Sequence, residues 1–83
     1  MTVANTQLTA LESAIGAQLR KVRLAYGLSQ KKLGVVSGFS AGHISLIENG
    51  RRAAQIHTIK ILCKHLDVPV HKLIKDSESE ING

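Results

Sequence analysis

The residues able to do chemistry in this chain are mostly cationic, and they are bunched. Residues 20–64 hold nine Lys or Arg against one acid, Glu48, whereas residues 65–83 hold two Lys against four acids. Concentrated positive charge is what binding a polyphosphate requires, because neutralised phosphates release their condensed counterions. The same charge also serves as a merely solvated surface. Other chemistries are poorly supplied. No Ser/His/Asp set, carboxylate pair or Gly-rich phosphate loop stands at a working spacing, so an enzyme is not expected. His57 and His65 lie eight residues apart, about 12 Å along one helix, too far to share an ion, and neither a metal nor a cofactor is expected. The single cysteine, Cys63, excludes an internal disulfide and a Cys-based zinc site. That fits a reducing, cytoplasmic compartment.

Eighty-three residues, 43% of them apolar with one Phe, one Tyr and no Trp, are enough for one small domain with an aliphatic core. No apolar run approaches the roughly 20 residues that cross a bilayer, and the start, MTVANTQLTA, lacks the basic and apolar regions of a secretory signal. The pattern is helices without strands. Thr9 to Glu12 fits a capping box, and Leu11, Ile15, Leu19, Val22 and Tyr26 then form one helical stripe that Gly27 ends. Gly16 within it costs about 1 kcal/mol against Ala. Ser29 suits the cap of a second helix and Ser40 that of a third, each with a hydrophobic staple: Leu28 with Leu33, and Phe39 with Ile44. Ser37-Gly38-Phe39 is a tight turn between them, so the pair makes a helix-turn-helix. Gly34 is a small residue that lets the third helix approach. Gly50 closes the third helix. A fourth helix runs from Ile56 to Leu66 with Ile56, Ile59, Leu62, Cys63 and Leu66 on one face, and places His57, Ile61 and His65 along an exposed line. Pro69 opens a short fifth helix ending near Lys75. The expected organisation is a flexible extension over residues 1–8, a domain over 9–75 and a flexible acidic tail over 76–83.

On a wheel of the third helix, Ile44 and Ile47 point to the core, and Ala41, Gly42, Ser45, Leu46 and Asn49 fall together within about 140° on the other side. A helix whose outer side is small and polar can sink into a major groove. Arg51 and Arg52 follow at once, where the chain would meet the nucleic-acid backbone. His43, at the flank, suits a phosphate contact, a base contact or simple packing. Lys31 and Lys32 suit either a solvated face or a phosphate.

Gly27-Leu28-Ser29-Gln30, Leu33-Gly34, Ser37-Gly38-Phe39-Ser40, Ile44-Ser45 and Ile47-Glu48-Asn49-Gly50-Arg51 together resemble the lambda-repressor-like helix-turn-helix family, also called the Xre or Cro type. The resemblance covers about residues 12–75. It implies a compact all-α, five-helix domain that binds double-stranded DNA, usually as a dimeric transcriptional regulator of bacteria or phages. By the same resemblance Ala41, Gly42 and Leu46 stand where base edges are usually touched, although none of them has a side-chain donor. Gln30 stands where a glutamine usually bonds a phosphate, with Ser40 beside it at the cap of the third helix. Arg23 and Glu48 match an internal ion pair.

Two functions follow. One is a sequence-specific repressor that occupies an operator as a homodimer, paired through Val68, Val70, Leu73 and Ile74, with Ile61 as the second candidate surface. The other is an antitoxin-type protein that neutralises a partner toxin and regulates its own promoter. A toxin or an anti-repressor is accordingly the protein partner considered, and no membrane association is expected.

Overall fold

The computed structural model describes residues 3–82, with side chains for residues 10–82. Five helices follow one another: α1 (Val3–Tyr26), α2 (Gln30–Ser37), α3 (Ala41–Glu48), α4 (Ile56–His65) and α5 (Val70–Asn82). The all-α, five-helix expectation is met. α1 packs on α3 and α5, α2 on α3 and α4, and α4 on α5. No helix among the described residues is long and apolar enough to cross a membrane.

Each helix contributes to one core. Ile15 and Leu19 come from α1, Leu33 from α2, Ile44 and Ile47 from α3, Ile59, Leu62 and Cys63 from α4, Leu66 from the turn after it, and Leu73 from α5. These are aliphatic positions at helical spacing, so burying one stripe per helix fills the centre. Burial in that apolar setting raises the pKa of the Cys63 thiol, because desolvation disfavours the thiolate. Cys63 is a small core residue.

Several boundaries and faces differ from the sequence expectation. The backbone is already helical from Val3, so Thr9 lies inside α1 rather than at its cap. Ala4 to Leu8 contain no helix breaker, and the helix simply continues through them. Residues 1–2 of the expected N-terminal extension, and the side chains through Thr9, lie outside the described residues. Tyr26, at 55% exposed, ends α1 beyond the reach of the core, and Ile56, at 61%, sits ahead of the first buried residue of α4. Ile61 is half-buried rather than exposed.

The largest departure is α5. It runs seven residues past Lys75 to Asn82, and Ser77, expected in a flexible tail, is 0% exposed. Leu73 and Ser77 are one turn apart on the same face. The Ser77 hydroxyl donates to the Leu73 carbonyl oxygen at 2.8 Å, which satisfies it without water. One turn on, Glu80 Oε2 accepts from Gln18 Nε2 on α1 at 3.4 Å.

Candidate nucleic-acid interface

Three local devices fix where α2 and α3 begin and where α2 ends. Ser29 caps α2, its hydroxyl accepting from Lys32 N at 3.0 Å. Gly38 ends α2 with φ +86° and donates its N–H to the Gly34 carbonyl at 2.8 Å. Ser40 caps α3, accepting from His43 N at 3.0 Å. Gly34 is buried against the turn itself: a Cβ there would strike the Phe39 carbonyl oxygen. The close approach is to the turn and the first residue of α3, rather than to the body of that helix.

The inner side of α3 is fixed by Ile44 and Ile47, at 1% and 3% exposed. Its opposite side is open. Gly42, Leu46 and Asn49 are exposed, and Ala41, His43 and Ser45 are half-buried. Asn49 Nδ2 donates to Ser45 Oγ at 3.3 Å, so two polar side chains of that side are already tied together. α3 then ends in a Schellman motif. The N–H of Gly50, at φ +70°, reaches the Ile47 carbonyl at 3.1 Å, and that of Arg51 reaches the Leu46 carbonyl at 2.9 Å. This turn delivers Arg51 and Arg52, both exposed, to the end of the helix.

Behind the open face lies a polar knot. Arg23 of α1 donates to Glu48 of α3 twice, Nε to Oε2 at 2.7 Å and Nη2 to Oε1 at 2.9 Å. Arg23 Nη1 also donates to the Leu28 carbonyl at 2.7 Å. The hydrogen bond to Glu48 raises the Arg23 pKa, outweighing the opposing desolvation, so the guanidinium stays charged. Gln30 joins the knot, its Nε2 donating to Glu48 Oε1 at 3.0 Å. Its amide is therefore oriented by a carboxylate inside the protein, in a bond that uses one of its two N–H groups. Lys31 and Lys32 are exposed on the outer side of α2.

His57 has neighbours that sequence reasoning does not show. It is exposed on α4, as the spacing expects, and the fold also sets it in one cavity with His43 and Arg52. No periodicity within α4 carries that signal, because the neighbours come from other elements. Leu73, expected at the dimer contact, is 1% exposed inside the core. It completes the centre of the single chain and is not available to a partner. Val68, Val70 and Ile74 pack against the core but keep part of their surface in solvent.

Comparisons with known proteins agree with this architecture. Residues 19–73 match the family described as Helix-turn-helix. RghRB of Bacillus subtilis, named an uncharacterized HTH-type transcriptional regulator, is 44% identical over 63 residues, covering 75% of this chain; the chain spans 45% of that relative's length. Among solved structures, the clp gene regulator ClgR from Corynebacterium glutamicum superposes with a TM-score of 0.83 at 26% identity, over 87% of this chain and 77% of that one. The restriction-modification controller protein C.AhdI from Aeromonas hydrophila gives 0.74 at 32% identity, over 78% and 94% of the two chains.

Proposed function

The chain belongs to the helix-turn-helix family, of the lambda-repressor-like (Xre) type, and from that premise we propose that it is a sequence-specific DNA-binding regulator that represses transcription by occupying a pseudo-palindromic operator as a homodimer. The observation that carries this reading is the outer face of α3. It is small, uncharged and open, and it is bounded by Arg51 and Arg52. Such a face enters a major groove without leaving a buried charge. Ala41, Gly42 and Leu46 then meet base edges, favouring thymine methyl groups and DNA shape over bidentate hydrogen bonding. Ser45 and His43 supply the polar contacts. Ser40, Gln30, Asn49, Arg51 and Arg52 face the backbone on either side. Occupancy of the site blocks a promoter without further machinery, which makes repression the simplest outcome.

The test is binding to duplexes selected from a random pool, measured beside a random-sequence duplex over a range of salt. Replacing Arg51 and Arg52 together with Ala is expected to weaken both duplexes alike, by about tenfold or more. The slope of log K against log salt should flatten by about 0.9 for each phosphate that is no longer neutralised. A double variant whose only defect is a missing preference for the selected duplex contradicts the assignment.

Two copies are required because one recognition helix rarely supplies both affinity and discrimination. Half-sites about 10 base pairs apart would match a two-fold axis. With Leu73 committed to the core, the pairing surface is Val68, Val70 and Ile74, which keep part of their apolar area in solvent. Val70→Glu is expected to shift the sedimenting species from dimer to monomer and to weaken operator binding, with the melting midpoint reporting any loss of fold. A wild-type protein that is monomeric at micromolar concentration yet binds a single half-site tightly rules the dimer out.

A further inference from the structure

Along the outer side of α2 runs a shallow open groove of about 540 Å³, lined by Leu28, Ser29, Lys31, Lys32, Val35 and Val36. Its apolar part is bare: Val35 is 77% exposed and Val36 52%. Lys31 and Lys32 precede the two valines by one turn and share their side of the helix. Neither lysine forms a salt bridge among the described residues, and the first turn of α2 holds no acid. Cations at a helix start oppose its macrodipole, so α2 carries a local cost beside its two uncovered β-branched side chains. A phosphate would account for the lysines but leaves the valines unexplained. The end of α5 has the opposite character. Glu78, Glu80 and Ile81 are exposed there, and the last turn holds no base, so this helix end is also charged against its dipole. The ends of α1 and α4 follow the ordinary rule, with Arg23 on the first and Lys64 and His65 on the second. Glu78 and Ile81, three residues apart, lie on one side of α5.

We propose that the end of α5 from a second copy of this chain docks in the groove of α2, with Glu78 against Lys31 and Lys32, Ile81 against Val35 and Val36, and Glu80 adding to the negative field. On each helix the charge and the apolar group stand about one turn apart, so cation meets acid where apolar meets apolar. Each helix end thereby gains a neighbouring charge of the sign its dipole favours. Within one chain α5 packs on α1 and α4, and no ion pair joins it to α2 among the described residues, so the occupant comes from another copy. The two surfaces differ, which makes the contact heterologous: every pair keeps one free groove and one free α5 end, and copies add in series. Exposed ion pairs over a small area make it weak. It is separate from the two-fold pairing through Val68, Val70 and Ile74, and it needs no DNA.

The experiment is sedimentation equilibrium of the DNA-free protein, up to about 500 µM because contacts of this size are weak. The wild-type mass should keep rising with concentration and not level off at two copies. Lys31→Glu/Lys32→Glu and, separately, Glu78→Lys/Ile81→Lys should each weaken that association about tenfold or more, since each sets like charges face to face. Both should melt no lower than the wild type, because each places at its helix end the charge the dipole favours. Mixed in equal amounts, the two variants should regain the association, as each keeps the surface that the other lacks. A two-fold contact through either surface alone cannot behave in this way. Three results overturn the inference: a wild-type mass that stops at two copies or fewer across the range, which leaves the groove to a partner other than this chain; variants that associate as the wild type does; or a mixture no heavier than its two components.

Discussion

Replacing Arg23 with Ala should lower the stability of the chain by about 3–5 kcal/mol, the usual cost of breaking one partner out of a buried ion pair. The Arg23 and Glu48 side chains are 6% and 2% exposed. Removing the guanidinium leaves a carboxylate inside the protein with only Gln30 as partner among the described residues, and it strips the Leu28 carbonyl of its donor. For a domain of this size the melting midpoint should fall by about 15 °C or more. Arg51→Ala, a change at an exposed side chain, should stay within about 0.5 kcal/mol. Exchanging both partners, as Arg23→Met with Glu48→Leu, should recover part of the loss, because no unpaired charge then remains. Equal and small shifts for Arg23→Ala and Arg51→Ala would show that the pair does not hold the fold. The consequence for the outer face of α3 is direct. Arg23 ties the last residue of α3 to α1 and the α1–α2 junction at once, so it sets the tilt at which α3 is presented.

What can be read from the sequence is what is encoded over a few neighbouring residues. Ser29 and Ser40 are caps and Gly38 and Gly50 are left-handed stops for reasons carried by their own backbone, so the positions of α2 and α3 follow from local chemistry. The outward side of α3 is legible for the same reason: Ile44 and Ile47 leave only one side to face out. The rest depends on packing between distant elements. Ser77 looks like a tail residue until its helix is seen to pack on α1, where Gln18 meets Glu80 one turn further on. Gln30 looks like a free surface amide until Glu48 is seen to orient it. Leu73, Val68, Val70 and Ile74 are equivalent in the sequence, and only packing commits the first of them to the core. His57 shows the same limit at the candidate interface, since its relation to His43 crosses from α4 to α3.

Gly16 and Gly42 bring this distinction to a test, because the same substitution should have opposite effects at the two sites. In both, alanine is favoured by intrinsic helix propensity, by up to about 1 kcal/mol. At Gly16 a Cβ would fall on the carbonyl oxygen of Ile47 and lie 3.3 Å from the Glu48 Cα, both backbone atoms of α3. Neither can rotate away, so α1 and α3 must separate. Overpacking of this kind costs about 1–3 kcal/mol or more, and Gly16→Ala should be a net loss of about 2 kcal/mol in denaturant melts. At Gly42 the nearest heavy atom is Ser40 Oγ at 4.0 Å, so the propensity gain stands and Gly42→Ala should be more stable by about 0.5–1 kcal/mol. A Gly16→Ala protein as stable as the wild type would show that α1 and α3 do not touch there. Gly42 thus breaks a local rule with no atom of the described residues to account for it, and such positions belong to surfaces that something else approaches. If that surface is a DNA groove, Gly42→Ala should bind its selected duplex more weakly than the wild type while melting higher; a variant that gains stability and keeps full affinity would take Gly42 out of the groove.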